Sequence, residues 1–134
     1  MQITRQADYA VRAMIYLSML NKGEKASTKV IAENQKIPLS FLAKIIAQLA
    51  VAGIISTLRG AKGGVSLTKD PSEISVLEVV EAIDGPILLN ECVVSTHECP
   101  IEKCAMRGIW IRSQRELVKE LQNTNFQYLA DKMS

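Results

Sequence analysis

The sequence has few aromatic residues, a single histidine and no long apolar run. Aromatic residues make up 4% of the 134 residues, so a core has to be built mainly from aliphatic side chains and methionine. The longest uninterrupted apolar run, residues 49–55, is far shorter than the roughly 20 residues of a membrane-spanning helix. The first ten residues lack the apolar centre of a signal peptide. We therefore expect a cytoplasmic globular domain.

The scarcity of histidine argues against a catalytic site. With one histidine, the chain offers no clear pairing of a nucleophile with a base. The glycine-rich stretch at residues 60–64 precedes a predicted strand, whereas a phosphate-binding loop precedes a helix. We do not expect an enzyme.

Charge is distributed unevenly along the chain, although the net charge is only +2. Residues 1–70 hold ten lysines and arginines against four acids, whereas residues 71–134 hold six against ten. A basic half joined to an acidic half indicates that the first half meets a polyanion such as nucleic acid. A solvated basic surface would produce a similar pattern.

Helix and turn signals divide the chain into a short series of elements. Hydrophobic periodicity predicts amphipathic helices. Their predicted N-terminal caps are Thr4 for the first helix, Ser27 or Thr28 for the second, and the Ser75–Glu78 capping box for the fourth. Val30 and Ile31 are predicted to face inward. Glycines between two β-type runs predict a hairpin. The predicted helices cover residues 5–21, 28–35, 39–52, 76–84, 107–123 and 126–132, and the strands cover 54–59 and 65–68. This order predicts a mainly α fold, a winged helix-turn-helix followed by a long helix.

The third helix and the hairpin carry the candidate DNA contacts. If the helix buries its leucine and isoleucine stripe, Ser40, Lys44 and Gln48 form an outer face without an acid, suited to the major groove. Arg59 and Lys62 lie at the glycine-rich tip, where a basic wing can enter a minor groove. An ordinary solvated helix face and a plain turn are the alternatives.

All three cysteines, Cys92, Cys99 and Cys104, lie in one 13-residue segment. An odd number in a cytoplasmic chain argues against a disulfide framework, and clustering in a loop indicates metal ligands. Thiolates suit an iron–sulfur cluster. Together with His97 they could instead bind zinc, or they could act as a thiol redox switch.

These motifs resemble those of the Rrf-two family of winged-helix transcription regulators, which includes IscR and NsrR iron–sulfur sensors and the cluster-free CymR type. The resemblance rests on PLSFL at residues 38–42, LRGAKGG at 58–64 and VLEVVEAIDG at 76–85. It implies a homodimer, joined by the helix at 107–123, that binds palindromic double-stranded DNA.

The resemblance also implies a ligand set. Three cysteines in this loop are found in cluster-binding members, and Asp8 matches an aspartate that NsrR-type proteins supply across the dimer to a 4Fe–4S cluster. Arg107 stands where IscR-type members place a histidine, which favours 4Fe–4S over 2Fe–2S. His97 is a rival fourth ligand. Asp8 could instead form a surface ion pair with Arg12.

The expected function is a transcriptional regulator whose operator binding is controlled by a cluster that senses nitric oxide, redox state or iron supply. The alternative is a zinc- or cluster-binding accessory protein of iron–sulfur assembly that does not bind DNA. We expect residues 1–85 to form the winged helix-turn-helix, 86–106 the cysteine loop and 107–134 the dimerisation helix and tail, within one compact domain.

Overall fold

The computed structural model describes residues 2–90, 93 and 104–134. Within them, six helices accompany one two-stranded antiparallel hairpin, and a short 3-10 turn precedes the fourth helix. This confirms the predicted winged helix-turn-helix. No described helix is both long and apolar enough to cross a bilayer. The elements are α1 (Arg5–Met19), α2 (Thr28–Gln35), α3 (Leu39–Val51), β1 (Ile55–Leu58), β2 (Gly64–Leu67), the 3-10 turn (Pro71–Glu73), α4 (Val76–Asp84), α5 (Arg107–Asn123) and α6 (Phe126–Met133).

Three helices begin where a hydroxyl residue was expected to cap them. Thr4, Ser27 and Ser75 each accept a hydrogen bond at 3.1 Å from the backbone N–H three residues later. Only half of the predicted capping box forms, however. The carboxylate of Glu78 lies 3.5 Å from the ammonium of Lys69, so it pairs with that side chain rather than with the start of its own helix.

The core lies where α1 packs against α3, α4 and α6. Small residues on α1 let the neighbouring helices approach closely, and Phe126 is the one aromatic residue of the described chain that is buried completely. Most of the remaining core is aliphatic, as the composition predicts. The largest fully buried side chains are Phe126, Met14, Ile31, Leu42, Ile45, Leu49, Ile74 and Val79.

Two local predictions for the first helices are wrong. Val30 does not face inward: it is 45% exposed, because the short helix α2 turns Ile31 and Ala32 toward the core instead. Helix α1 ends at Met19 rather than at residue 21. The chain then turns through Gly23, whose φ of 85° is a conformation that glycine adopts without steric cost.

The hairpin pairs Ile55 with Leu67 and Leu58 with Gly64. At its tip Gly63 is required by close packing, because a Cβ there would lie 1.9 Å from the backbone oxygen of Leu58. Ala26 exchanges backbone hydrogen bonds of 2.7 and 3.1 Å with Val65, which attaches the segment before α2 to the wing. Sequence patterns did not predict this bridge.

The last two helices differ in how they attach to the molecule. Helix α6 returns to the core, because backbone bonds join Val76 to Thr124 at 2.9 Å and Phe126 to Ile74 at 3.2 Å. Every residue of α5 keeps some exposure to solvent. Its C-terminal half contacts the core through Leu117, Val118 and Leu121.

Candidate nucleic-acid interface and metal-binding loop

Helix α3 separates an apolar face from a polar one. The buried face holds Leu42, Ile45, Ile46 and Leu49, whereas the three predicted DNA contacts, Ser40, Lys44 and Gln48, are all exposed. Pro38 precedes the helix and supplies no side-chain cap, so the first amides of α3 keep their capacity to donate. The structure therefore brings the three polar residues together on one open surface.

The basic residues of the wing are divided between its tip and its base. Arg59 and Lys62 are exposed at the tip. Lys62 lies within the turn that Gly63 closes by donating to Gly60 at 3.0 Å, and Arg59 directly precedes this turn. Lys69 lies at the base of the wing, in its ion pair with Glu78. Of these three basic residues, the structure places Arg59 and Lys62 at the exposed tip and Lys69 in an ion pair at the base.

A stack of three side chains joins α1 to the helix-turn-helix. The ring of Phe41, half-exposed on α3, lies 6.4 Å from the ring of Tyr9 on α1. The guanidinium of Arg12 lies 5.3 Å from the centre of the same tyrosine ring, and it donates a hydrogen bond to the carbonyl of Gln35 at the end of α2. One stretch of α1 thus holds both the end of α2 and the start of α3.

Asp8 lies one turn before Arg12 on the same helix. Its carboxylate is 3.9 Å from the guanidinium, and the side chain is 63% exposed. An exposed pair at this distance contributes less than about 1 kcal/mol. The carboxylate of Asp8 is therefore paired loosely enough to take another partner.

Only the last cysteine of the predicted metal loop lies within the described residues. Cys104 is a half-buried free thiol just before α5, and its carbonyl accepts a bond of 3.3 Å from the backbone N–H of Arg107. Cys92, His97 and Cys99 lie outside the described residues. Among residues 2–90, 93 and 104–134, no three potential metal ligands converge.

The chain leading into the loop is tied to the helix that leaves it. The side-chain oxygen of Gln114 on α5 accepts a hydrogen bond of 2.8 Å from the backbone N–H of Leu89. Cys104 lies three residues before the first residue of the same helix, and its carbonyl accepts from Arg107. Both described ends of the loop are therefore attached to α5.

The fold and its exposed basic surfaces define the class: a winged helix-turn-helix regulator that binds DNA. The profile of the Rrf2 family, described as an iron-dependent transcriptional regulator, matches residues 3–132. The chain belongs to this family, whose members are transcriptional regulators and not enzymes. It is 33% identical to NsrR of Shouchella clausii over 111 residues, which cover 81% of this chain and 74% of that protein. It is 36% identical to NsrR of Geobacillus kaustophilus over 109 residues, 80% and 74% of the two chains.

Solved structures agree with this assignment. CymR of Bacillus subtilis, the global cysteine regulator, superposes with a TM-score of 0.87 at 26% identity, covering 98% of each chain. IscR of T. potens superposes with a TM-score of 0.80 over 98% of this chain and 88% of that one, at 23% identity, a level that supports the shared fold alone. The alternative of an accessory protein that does not bind DNA is therefore set aside.

Sequence reasoning missed the residues that connect the candidate sites. Arg12 was considered only as a partner of Asp8, and its bond to the Gln35 carbonyl spans 23 residues. The bond from Leu89 to Gln114 spans 25. Neither is visible in local periodicity, because each depends on how distant elements pack.

Proposed function

We propose that this chain is a homodimeric regulator that binds a palindromic operator and whose affinity is controlled by an iron–sulfur cluster held in the cysteine loop. The observation that carries the proposal is the position of Asp8. Its exposed carboxylate is next to Arg12, and Arg12 holds the turn that leads into α3. A ligand that engages Asp8 therefore acts close to the helix that reads DNA.

The operator contacts follow from the exposed surfaces. Lys44 and Gln48 can bond to base edges in the major groove, and Ser40, nearest the helix start, can donate to a phosphate. Arg59 and Lys62 at the wing tip suit an adjacent minor groove. The experiment is selection of duplexes from a random library with the purified chain. We expect a palindrome, and random recovered sequences would contradict specific reading.

The N-terminal half of α5 supports the dimer. Met106 and Ile109 are exposed there, and Trp110 and Ile111 are half-buried without belonging to the core. An apolar strip that remains partly exposed on its own protomer is stabilised when a second copy covers it. Two copies joined along α5 would present two recognition helices, as a palindrome requires.

The residues available for the cluster are three thiols and one carboxylate. Cys92, Cys99 and Cys104 of one protomer would bind iron, and Asp8 of the other would supply the fourth ligand, with His97 as its rival. A half-buried free thiol at Cys104 and a loosely paired carboxylate at Asp8 fit this use. Iron–sulfur clusters take thiolate ligands, and one of the thiolates can be replaced by another type of side chain. When bound, the cluster would supply a group that nitric oxide, oxygen or iron shortage can destroy; we favour 4Fe–4S over 2Fe–2S.

The chain's own residues can transmit the change. When Asp8 is withdrawn from Arg12, the guanidinium loses its nearby negative charge and can shift relative to Tyr9 and the carbonyl of Gln35. Since these contacts hold the turn before α3, a new position of Arg12 alters how α3 is presented. Half-site spacing is set by the duplex, so a small shift of the two readers weakens specific binding.

Anaerobic purification tests the cofactor directly. We expect a coloured protein with roughly four iron and four sulfide per chain. About two of each would indicate 2Fe–2S, and zinc without sulfide would contradict the cluster and indicate a site made by His97 and the cysteines.

Asp8→Ala tests the proposed link between cluster and DNA. We expect an altered absorbance spectrum and a changed affinity for the selected palindrome. Glu24→Ala is the matched control, because this exposed carboxylate lies in the turn after α1, away from Arg12. An unchanged spectrum together with an unchanged affinity would contradict the role of Asp8.

A second candidate is regulation by thiol chemistry without a cluster. It is favoured by the structural likeness to CymR over nearly the whole chain. In that case the protein would be colourless, and oxidation of Cys104 would change DNA affinity. Replacement of this one thiol by serine would then abolish the response to oxidant.

A further inference from the structure

Lys36, in the turn between α2 and α3, has an unusual backbone conformation. Its φ of 55° and ψ of 48° place it in the left-handed region. Its backbone N–H donates to Ala32, which ends α2 and lets the chain turn toward α3. Among the described residues it is the only non-glycine with a positive φ.

Glycine is the residue that this position favours. A side chain in the left-handed region brings Cβ close to the backbone, whereas glycine adopts the conformation freely. The other described residues with positive φ are all glycines: Gly23, Gly53, Gly60, Gly64 and Gly85. We therefore expect lysine at residue 36 to destabilise the fold relative to glycine.

The interactions of Lys36 within the chain do not compensate for this cost. The side chain is exposed, and it forms no ion pair with any carboxylate that the structure describes. The bond from its backbone N–H to Ala32 would be made equally by glycine. Nothing in the described part of the chain offsets this cost, so we look for a partner of the lysine side chain outside the protomer.

Position and charge identify the chemistry of that partner. Lys36 lies four residues before Ser40, so the two Cα atoms are at most about 14 Å apart. A second cation lies beside this turn, because the guanidinium of Arg12, which is loosely paired with Asp8, is bonded to the carbonyl of Gln35. A polyanion bound at the start of α3 would pass close to this turn.

We propose that Lys36 contacts the phosphodiester backbone of the operator beside the bases that α3 reads. The inference rests on the proposed reading of DNA by α3 and is independent of the cluster. An ammonium–phosphate contact carries no sequence information; it positions the recognition helix and adds salt-dependent affinity.

Lys36→Gly separates the two effects of this residue. We expect the thermal midpoint to stay equal or to rise by about 2–6 °C, because the backbone conformation becomes favourable. We expect affinity for DNA to fall roughly eightfold at 0.1 M salt, and the slope of log affinity against log salt to become less steep by about 0.9 for each phosphate that is no longer neutralised. The loss of affinity should be similar on the selected palindrome and on unrelated duplexes.

Three further variants complete the experiment. Lys36→Arg should keep the salt slope, and Lys36→Asn, which also tolerates the left-handed region, should behave as the glycine variant does. Lys119→Gln is the charge-matched control on exposed α5 and should leave the slope unchanged. An unchanged slope for Lys36→Gly, or a lower thermal midpoint, would overturn the proposal. If the unaltered chain itself binds no duplex, the proposed function fails instead.

Discussion

The two ends of this chain use hydrophobic residues differently. From α1 to α4 the apolar side chains are largely enclosed by the chain itself, and the candidate DNA contacts left outside on α3 and on the wing are polar or basic. On α5 every residue keeps some exposure, and the apolar residues at its start do not belong to the core. Within the described residues, the first region therefore encloses most of its own apolar side chains, whereas the start of α5 does not.

This contrast separates two tasks. A recognition surface has to stay open and cationic until it meets DNA, so its support must come from within the protomer. An assembly surface is open and apolar until a second copy covers it. Helix α6 follows α5 in the sequence, but it packs against α1 and so belongs to the core of the first region.

The largest effect is expected from Phe126→Ala, which tests whether α6 belongs to the compact region. The ring is completely buried, so its removal should lower the free energy of unfolding by about 3–5 kcal/mol. Denaturant titration measures the decrease. Tyr128→Ala on the same helix removes a ring that is 51% exposed and should cost far less. Equal decreases would mean that α6 is not anchored as described.

The exposed start of α5 is tested next, by Ile109→Glu. A charge in an apolar seam should weaken association by at least about 100-fold, or about 2.8 kcal/mol. Light scattering across protein concentration reports the state of assembly. Lys119→Glu changes a charge on the same helix at an exposed polar position and should leave association nearly unchanged. A dimer that persists in Ile109→Glu would place the interface elsewhere.

The open surface of the first region is probed by comparing Lys44→Ala with Lys62→Ala. Removal of a base contact from α3 should cost about 1–3 kcal/mol on the selected palindrome and relax the preference for one base. The wing variant should weaken binding to all duplexes more evenly. Titrations against matched and mismatched sites measure both effects. If Lys44→Ala lowers affinity equally on every site, α3 does not read bases through that residue.

The smallest effect concerns the half-formed capping box on α4. Ser75→Ala removes the cap that accepts from the N–H of Glu78 and should cost about 1 kcal/mol in unfolding free energy. Glu78→Gln removes only an exposed ion pair with Lys69 and should cost less than about 0.5 kcal/mol. Denaturant titration of both variants measures the two changes in unfolding free energy. A larger cost for Glu78→Gln would show that the carboxylate supports the helix start after all.

Local chemistry made much of this fold predictable. Ser27 and Ser75 begin their helices as expected, and the glycine-rich tip forms the hairpin, because caps and tight turns depend on residues a few positions apart. The outward position of Lys44 followed from the spacing of the buried residues on α3.

Features that depend on distant parts of the chain were not predictable. Val30 faces outward because of how α2 lies on the core, and Glu78 turns to a lysine nine residues earlier. The bond between Arg12 and the carbonyl of Gln35 has no local signature. The assignment of Cys92, Cys99, Cys104 and Asp8 as cluster ligands stays a prediction, because Cys92 and Cys99 lie outside the described residues and the positions of Cys104 and Asp8 alone do not define a cluster site.

Control of operator binding by the cysteine loop can be measured on a single anaerobic preparation. Its affinity for the selected palindrome is determined before and after the iron is removed, and the pair of titrations is repeated with Cys104→Ser. In the unaltered chain we predict that iron removal changes the affinity for the palindrome by at least about tenfold, or about 1.4 kcal/mol. In Cys104→Ser we predict the same affinity before and after the treatment. Equal affinity before and after iron removal in the unaltered chain would show that the loop does not govern DNA binding.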